Sequence, residues 1–169
     1  MATPQDTSPE AYLKTSRDFC DAANELLRVA KKRKVDLHSS RFTKPVQLLY
    51  FHSIECSLKA YLGVMGQKIP KGHAIKEYYK ECKRLGLPRD RKLFDENAVG
   101  LLSSANADHG IRYFNLKSHW QPSMRVAKNG SRFILQSVEK EFAKRGLDTT
   151  KPGKVAKIIV TFDVGKKKS

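Results

Sequence analysis

Arg112 and His119 are the residues in this 169-residue chain whose types and spacing best suit chemistry. They lie in HGIRYFNLKSHW, residues 109–120, which also carries the single tryptophan. Histidine changes charge near neutral pH and moves protons in either direction. A guanidinium stays charged and stabilises negative charge that builds on a phosphate. Such a pair has what metal-independent RNA cleavage needs, provided both groups reach one substrate. If residues 112–119 are helical, the seven-residue separation is two turns, on one face and about 10.5 Å along the axis. If they are extended, the odd separation sends the side chains to opposite faces, roughly 23 Å apart. The stretch is dominated by weak helix formers, and Tyr113, Phe114 and Ile111 favour strands. An extended segment over 111–117 is therefore expected, with Trp120 a packing residue rather than a base-stacking platform.

Other residues could support a site. Glu55 and Lys59 stand four apart within HSIECSLKAYLGVMG. On a solvent face that order contributes about 0.2–0.5 kcal/mol, but the surrounding apolar residues imply partial burial. The pair is then either a structural polar contact or the acidic part of a site. The structural reading is preferred, since structural ion pairs also perturb buried charges. His73, in GHAI, could act as a base. With neither a nucleophile nor an orienting carboxylate next to it in sequence, a turn at Gly72 with His73 as cap is expected instead. The run Lys31, Lys32, Arg33 and Lys34 suits the negative end of a helix dipole. It is also compatible with a nucleic-acid contact, to which Arg112 and Lys117 would add, or with a nuclear-localisation patch.

The elements that must position these groups read as helices. A first helix is expected from about Pro9 to Lys34, capped by Thr7 or Ser8, and a second from about Pro45 to Val64. The second carries a stripe from Leu48 to Met65 and a further face of Leu49, Cys56 and Ala60, which makes it the central helix. A third runs from about Gly72 to Leu85. A fourth begins at LPRD and carries Leu93, Phe94, Ala98, Leu101, Leu102 and Ala105. A fifth runs from about Pro122 to Arg145, with Gly130 as a point of kinking or late start. Gly66, Gly86 and Gly146 stop three of them. KVAKIIVTFDV reads as a strand over 155–164, followed by a frayed basic tail over 165–169.

Composition bounds the rest. Lys and Arg number 33 against 17 Asp and Glu, a formal net charge of +16. That is more than solubility requires, and it attracts polyanions such as RNA by a salt-dependent term. No run of about 18 apolar residues is present, so no membrane partner is expected. MATPQDTSPE shows no secretion signal. Cys20, Cys56 and Cys82, odd in number and scattered, read as reduced thiols of a cytoplasmic protein. No metal-ligand spacing is visible, and no cofactor is expected.

ECSLKAYLGVMG, then KGHAIKEYYKECKRLGL, then an amphipathic stretch ending in IRYF, resembles a HEPN domain. The resemblance covers most of residues 9–145. It rests on the E-x-x-x-K-A centre of the second helix, the glycine turn, GH opening the third helix, and Arg112–Tyr113 after the fourth. Members of that family are small helical bundles, often dimeric. Some are metal-independent ribonucleases of toxin and defence systems; others are inactive partners or nucleotidyltransferase-associated modules. Ribonuclease members carry Arg, usually a polar neighbour, and then His after four to six residues. Arg112 and His119 have six residues between them, but Tyr113 replaces the polar neighbour.

The expectation is a mainly α fold: an up-and-down bundle of about five helices over 9–146 with a short C-terminal β element, in one domain of 169 residues. A homodimer is expected, since such helices often leave an apolar face for a two-fold mate. The leading function is a basic binding module for RNA or a nucleotide-bearing partner, in a defence or toxin–antitoxin type system. The alternatives are a metal-independent endoribonuclease using Arg112 and His119, and a non-catalytic module that docks onto a nucleotidyltransferase.

Overall fold

A computed structural model describes residues 7–34, 43–88, 98–100, 103 and 123–147. Four helices are bounded in full: α1 Pro9–Lys32, α2 Thr43–Val64, α3 Ile75–Arg84 and α4 Met124–Lys144. Residues 98–100, inside the predicted fourth helix, are helical as well. The protein is mainly α-helical, and no strand occurs among the described residues. The expected strand over 155–164, the tail over 165–169 and the stretch over 111–117 lie outside them. None of the described helices is long and apolar enough to cross a membrane.

Local chemistry explains the ends. Ser8 caps α1, its Oγ accepting from the Ala11 N–H at 3.1 Å, with Pro9 in the first turn, where no partner for its nitrogen is needed. Ser123 caps α4 in the same way through the Val126 N–H at 3.2 Å. Gly66, Gly86 and Gly146 follow α2, α3 and α4 with φ of 77°, 101° and 67°, the left-handed conformation that glycine adopts without strain. Gly130 does not break α4. It is buried within a continuous helix, because tertiary packing outweighs its poor propensity.

Helix α2 is central, as expected, with α1, α3 and α4 all packed on it. Tyr50, Ile54 and Leu58 of α2 are fully buried with Leu13 of α1, Ile75 of α3 and Phe142 of α4. Each such apolar side chain contributes about 1.5–3 kcal/mol of burial. Of the expected second face, Ala60 is fully buried, but Leu49 and Cys56 are only part-buried. The face is formed by Val46, Tyr50, Ser53, Ser57 and Ala60. Four fully buried serines stitch this face to its neighbours. Ser16 Oγ of α1 donates to the Ser53 carbonyl at 2.8 Å and lies 2.5 Å from Ser57 Oγ. Ser131 Oγ of α4 donates to Ser53 Oγ at 2.8 Å. Small side chains let the helices approach closely while their hydroxyls satisfy one another. The approach is equally tight at the other end of α2, where a Cβ on Gly63 would come within 2.6 Å of Pro9 Cγ.

Cross-helix pairs fix the directions. Ser16 meets Ser57 and Asn24 meets Tyr50, so α1 and α2 are antiparallel. Ser53 meets Ser131 and Met65 meets Arg145, so α4 runs parallel to α2. The pairs between α2 and α3 ascend together: Glu55 with His73, Leu58 with Cys82, Tyr61 with Leu85. Strict up-and-down alternation therefore stops at α3. The loop of residues 65–74 makes the return journey along α2, and α3 then runs along α2 in the same sense.

Candidate functional site

The returning loop creates a polar cluster on α2. Glu55 and Lys59 are one turn apart, with side chains only 6% and 7% exposed, and Lys59 Nζ lies 2.8 Å from Glu55 Oε1. Lys59 Nζ also donates to the Gly72 carbonyl at 2.7 Å and sits 5.6 Å from the ring centres of Tyr12 and Tyr78. His73 Nδ1 lies 2.8 and 2.9 Å from the two Glu55 oxygens. An ionised carboxylate only accepts, so Nδ1 carries the ring proton in this arrangement. Burial pulls the Lys59 ammonium down. The hydrogen bond to Glu55 and its charge, with Tyr12 and Tyr78 in support, more than offset this and hold it above the ordinary lysine value.

Two expectations are corrected here. His73 does have an orienting carboxylate, Glu55, brought to it by the loop across 18 residues of sequence. Nor is His73 the cap of α3: Ala74 occupies that position, with no side-chain cap. The turn at Gly72 is present, with φ of 97°. The contacts of Glu55 and Lys59 with Gly72 and His73 all run between α2 and the returning loop, so the cluster fastens the loop that launches α3.

Lys31, Lys32, Arg33 and Lys34 end α1 as expected, and all four are exposed. A second basic surface was not anticipated. Lys76, Lys80 and Lys83 of α3, with Tyr79 and Val99, line a depression of about 150 Å³. Tyr79 is buried beneath it, and Lys83 Nζ stands 5.6 Å from its ring centre. The signal is legible in IKEYYKECKR as lysines at one helical face, beside the apolar anchors that mark the helix. A wider depression of about 520 Å³, lined by Arg17, Gln136, Glu139, Lys140 and Ala143, carries both signs of charge. It is bridged by Arg17 and Glu139 at 2.6 Å, tying α1 to α4. Arg112, Lys117, His119 and Trp120 lie outside the described residues.

The cysteines are free thiols: Cys20 and Cys82 are buried and Cys56 is partly so. Burial, then the charge of Glu55, push the Cys56 thiol up to about 12 against the opposing effect of Lys59. Burial likewise raises Cys82. Since the thiolate is the reactive form, iodoacetamide at neutral pH should leave all three cysteines of the native protein essentially unmodified. Denaturant should expose all three to labelling, as counted by intact mass. Rapid labelling of Cys56 in the native state would contradict its partly buried, protonated setting.

Comparison of the chain with protein-family models, with curated proteins and with solved structures returns no match.

Proposed function

We propose that this chain is a HEPN-like basic module that binds RNA or a nucleotide-bearing partner, acting as a cytoplasmic homodimer in a defence or toxin–antitoxin type system. The observation that carries the reading is charge placed on an ordered helix end. The chain bears a formal +16, and α1 delivers Lys31–Lys34 to the surface as four adjacent exposed cations. Cations so placed release counterions from a polyanion on binding, which gives affinity without sequence preference and makes it fall with salt. The mainly helical fold centred on α2 agrees with the resemblance carried by Glu55, Lys59, Gly72 and His73.

The experiment is retention of a labelled oligoribonucleotide across a salt series in EDTA, with the RNA recovered and sized. A binding module retains RNA at low salt, loses it steeply as salt rises, and returns it intact. Replacing Lys31, Lys32, Arg33 and Lys34 by glutamine should weaken retention at every salt concentration. No retention at low salt removes the reading and favours docking onto a protein such as a nucleotidyltransferase. The Arg112–His119 spacing favours a second reading, a metal-independent endoribonuclease. Under it the RNA is shortened in EDTA, and Arg112→Ala or His119→Ala stops the shortening.

A further inference from the structure

We propose that the lysine ridge of α3, with Lys76 and Lys80 exposed and Lys83 half-buried, is a binding site for successive backbone phosphates of a single RNA strand. The inference rests on the polyanion-binding reading above and assigns it a place on the molecule that the basic run of α1 does not cover.

The first argument is arrangement. At about 100° per residue, Lys76, Lys80 and Lys83 fall within about 60° of one another around α3. The exposed Glu81–Arg84 pair, 2.6 Å apart, falls on a different face, roughly 100° around the helix. The three lysines thus share one face, and Glu77 and the Glu81–Arg84 pair lie off it. The buried residues Ile75, Tyr78, Tyr79 and Cys82 occupy the remaining arc and hold the helix on α2.

Spacing is the second argument. Lys76 and Lys80 are separated by about 6 Å along the helix axis, and Lys80 and Lys83 by about 4.5 Å. These steps are comparable with the separation of neighbouring phosphates along one strand. The strip can therefore meet two or three phosphates in sequence without moving the backbone.

The third argument is shape and rigidity. The strip borders a concave surface of about 150 Å³ rather than a flat face, so a phosphate seated there is approached from more than one side. The floor is fixed: Tyr79 is 3% exposed and Val99 is 1% exposed. The Tyr79 ring beneath Lys83 gives that flexible side chain a resting place, which lessens the entropy lost when a phosphate arrives. With its ring buried, Tyr79 offers no stacking face for a base. The site is thus expected to read the backbone and not the sequence, as charged grooves for single strands do.

The test compares the full-length protein with Lys76→Gln/Lys80→Gln/Lys83→Gln. A control carries Lys128→Gln/Arg132→Gln/Lys140→Gln, which removes the same charge from exposed positions of α4. Binding of fluorescein-labelled oligouridine is followed across a salt series, and circular dichroism confirms that each variant is folded. For single strands each phosphate engaged contributes about 0.7 to the slope of log affinity against log salt. The α3 variant should lower the magnitude of that slope by about 1.4–2, and the α4 control by clearly less. Equal losses in the two variants, or an unchanged slope in the α3 variant while the wild type binds, would overturn the site and leave RNA binding standing. Failure of the wild type to bind oligouridine at low salt overturns the site and the underlying reading together.

Discussion

Glu55→Ala should destabilise the protein by about 3–5 kcal/mol, the usual cost of leaving one member of a buried ion pair without its partner. For a chain of this size that lowers Tm by roughly 6–20 °C. The carboxylate and the Lys59 ammonium are 6% and 7% exposed, so solvent cannot take over the role of the missing partner. Lys59 Nζ would keep the Gly72 carbonyl and the two tyrosine faces, but no anion. Glu55→Gln tests the same point more narrowly, because it keeps the shape and removes the charge. The double change Glu55→Leu/Lys59→Met should be much milder than Glu55→Ala, since apolar residues of similar volume remove both desolvation costs together. His73→Ala should also be milder, because the His73 side chain is 48% exposed and the Glu55–Lys59 pair survives its loss. Thermal melts of the four variants decide the matter. If Glu55→Ala melts within a degree or two of the wild type, the pair is solvated and does not hold the loop.

Ser53→Leu should cost about 3 kcal/mol or more, although it places an apolar residue at a fully buried position. Two effects add. The extra methylenes have no room where α1, α2 and α4 converge, and overpacking of that kind costs about 1–3 kcal/mol. The Ser131 hydroxyl, which donates to Ser53 Oγ at 2.8 Å, also loses its acceptor in a fully buried interface, at about 1–3 kcal/mol. Ser53→Ala removes the hydroxyl without adding volume and should cost less than Ser53→Leu. Urea titrations at constant m-value give the order directly. A Leu variant as stable as the Ala variant would show that the three helices are not close-packed at this point.

The helices were legible in the sequence because their signals are local. The apolar period, a cap at Thr7 or Ser8, Pro9 and the closing basic run placed α1 within two residues of its observed ends, and the long apolar stripe marked α2 as central. A helix buries a stripe at a fixed angular spacing whatever it packs against, so a single strand of text carries the pattern. The basic end of α1 was readable for the same reason. Periodicity misled where small polar residues do the packing. Ser16, Ser53, Ser57 and Ser131 look like solvent positions in a hydropathy pattern, and only the approach of three helices makes them a buried network.

By itself, then, the sequence determined a chain that builds amphipathic helices around one central helix and carries a large excess of positive charge. Tertiary structure alone decided which polar groups meet. It brought His73 to Glu55 and the Gly72 carbonyl to Lys59, because residues 65–74 double back along α2 before α3 begins. It also turned three lysines of α3 into a ridge beside a depression, because packing of Tyr79 and Val99 defines the floor. The division has a physical reason: helix formation depends on neighbours within a turn or two, whereas a polar site depends on where chain reversals bring distant turns together.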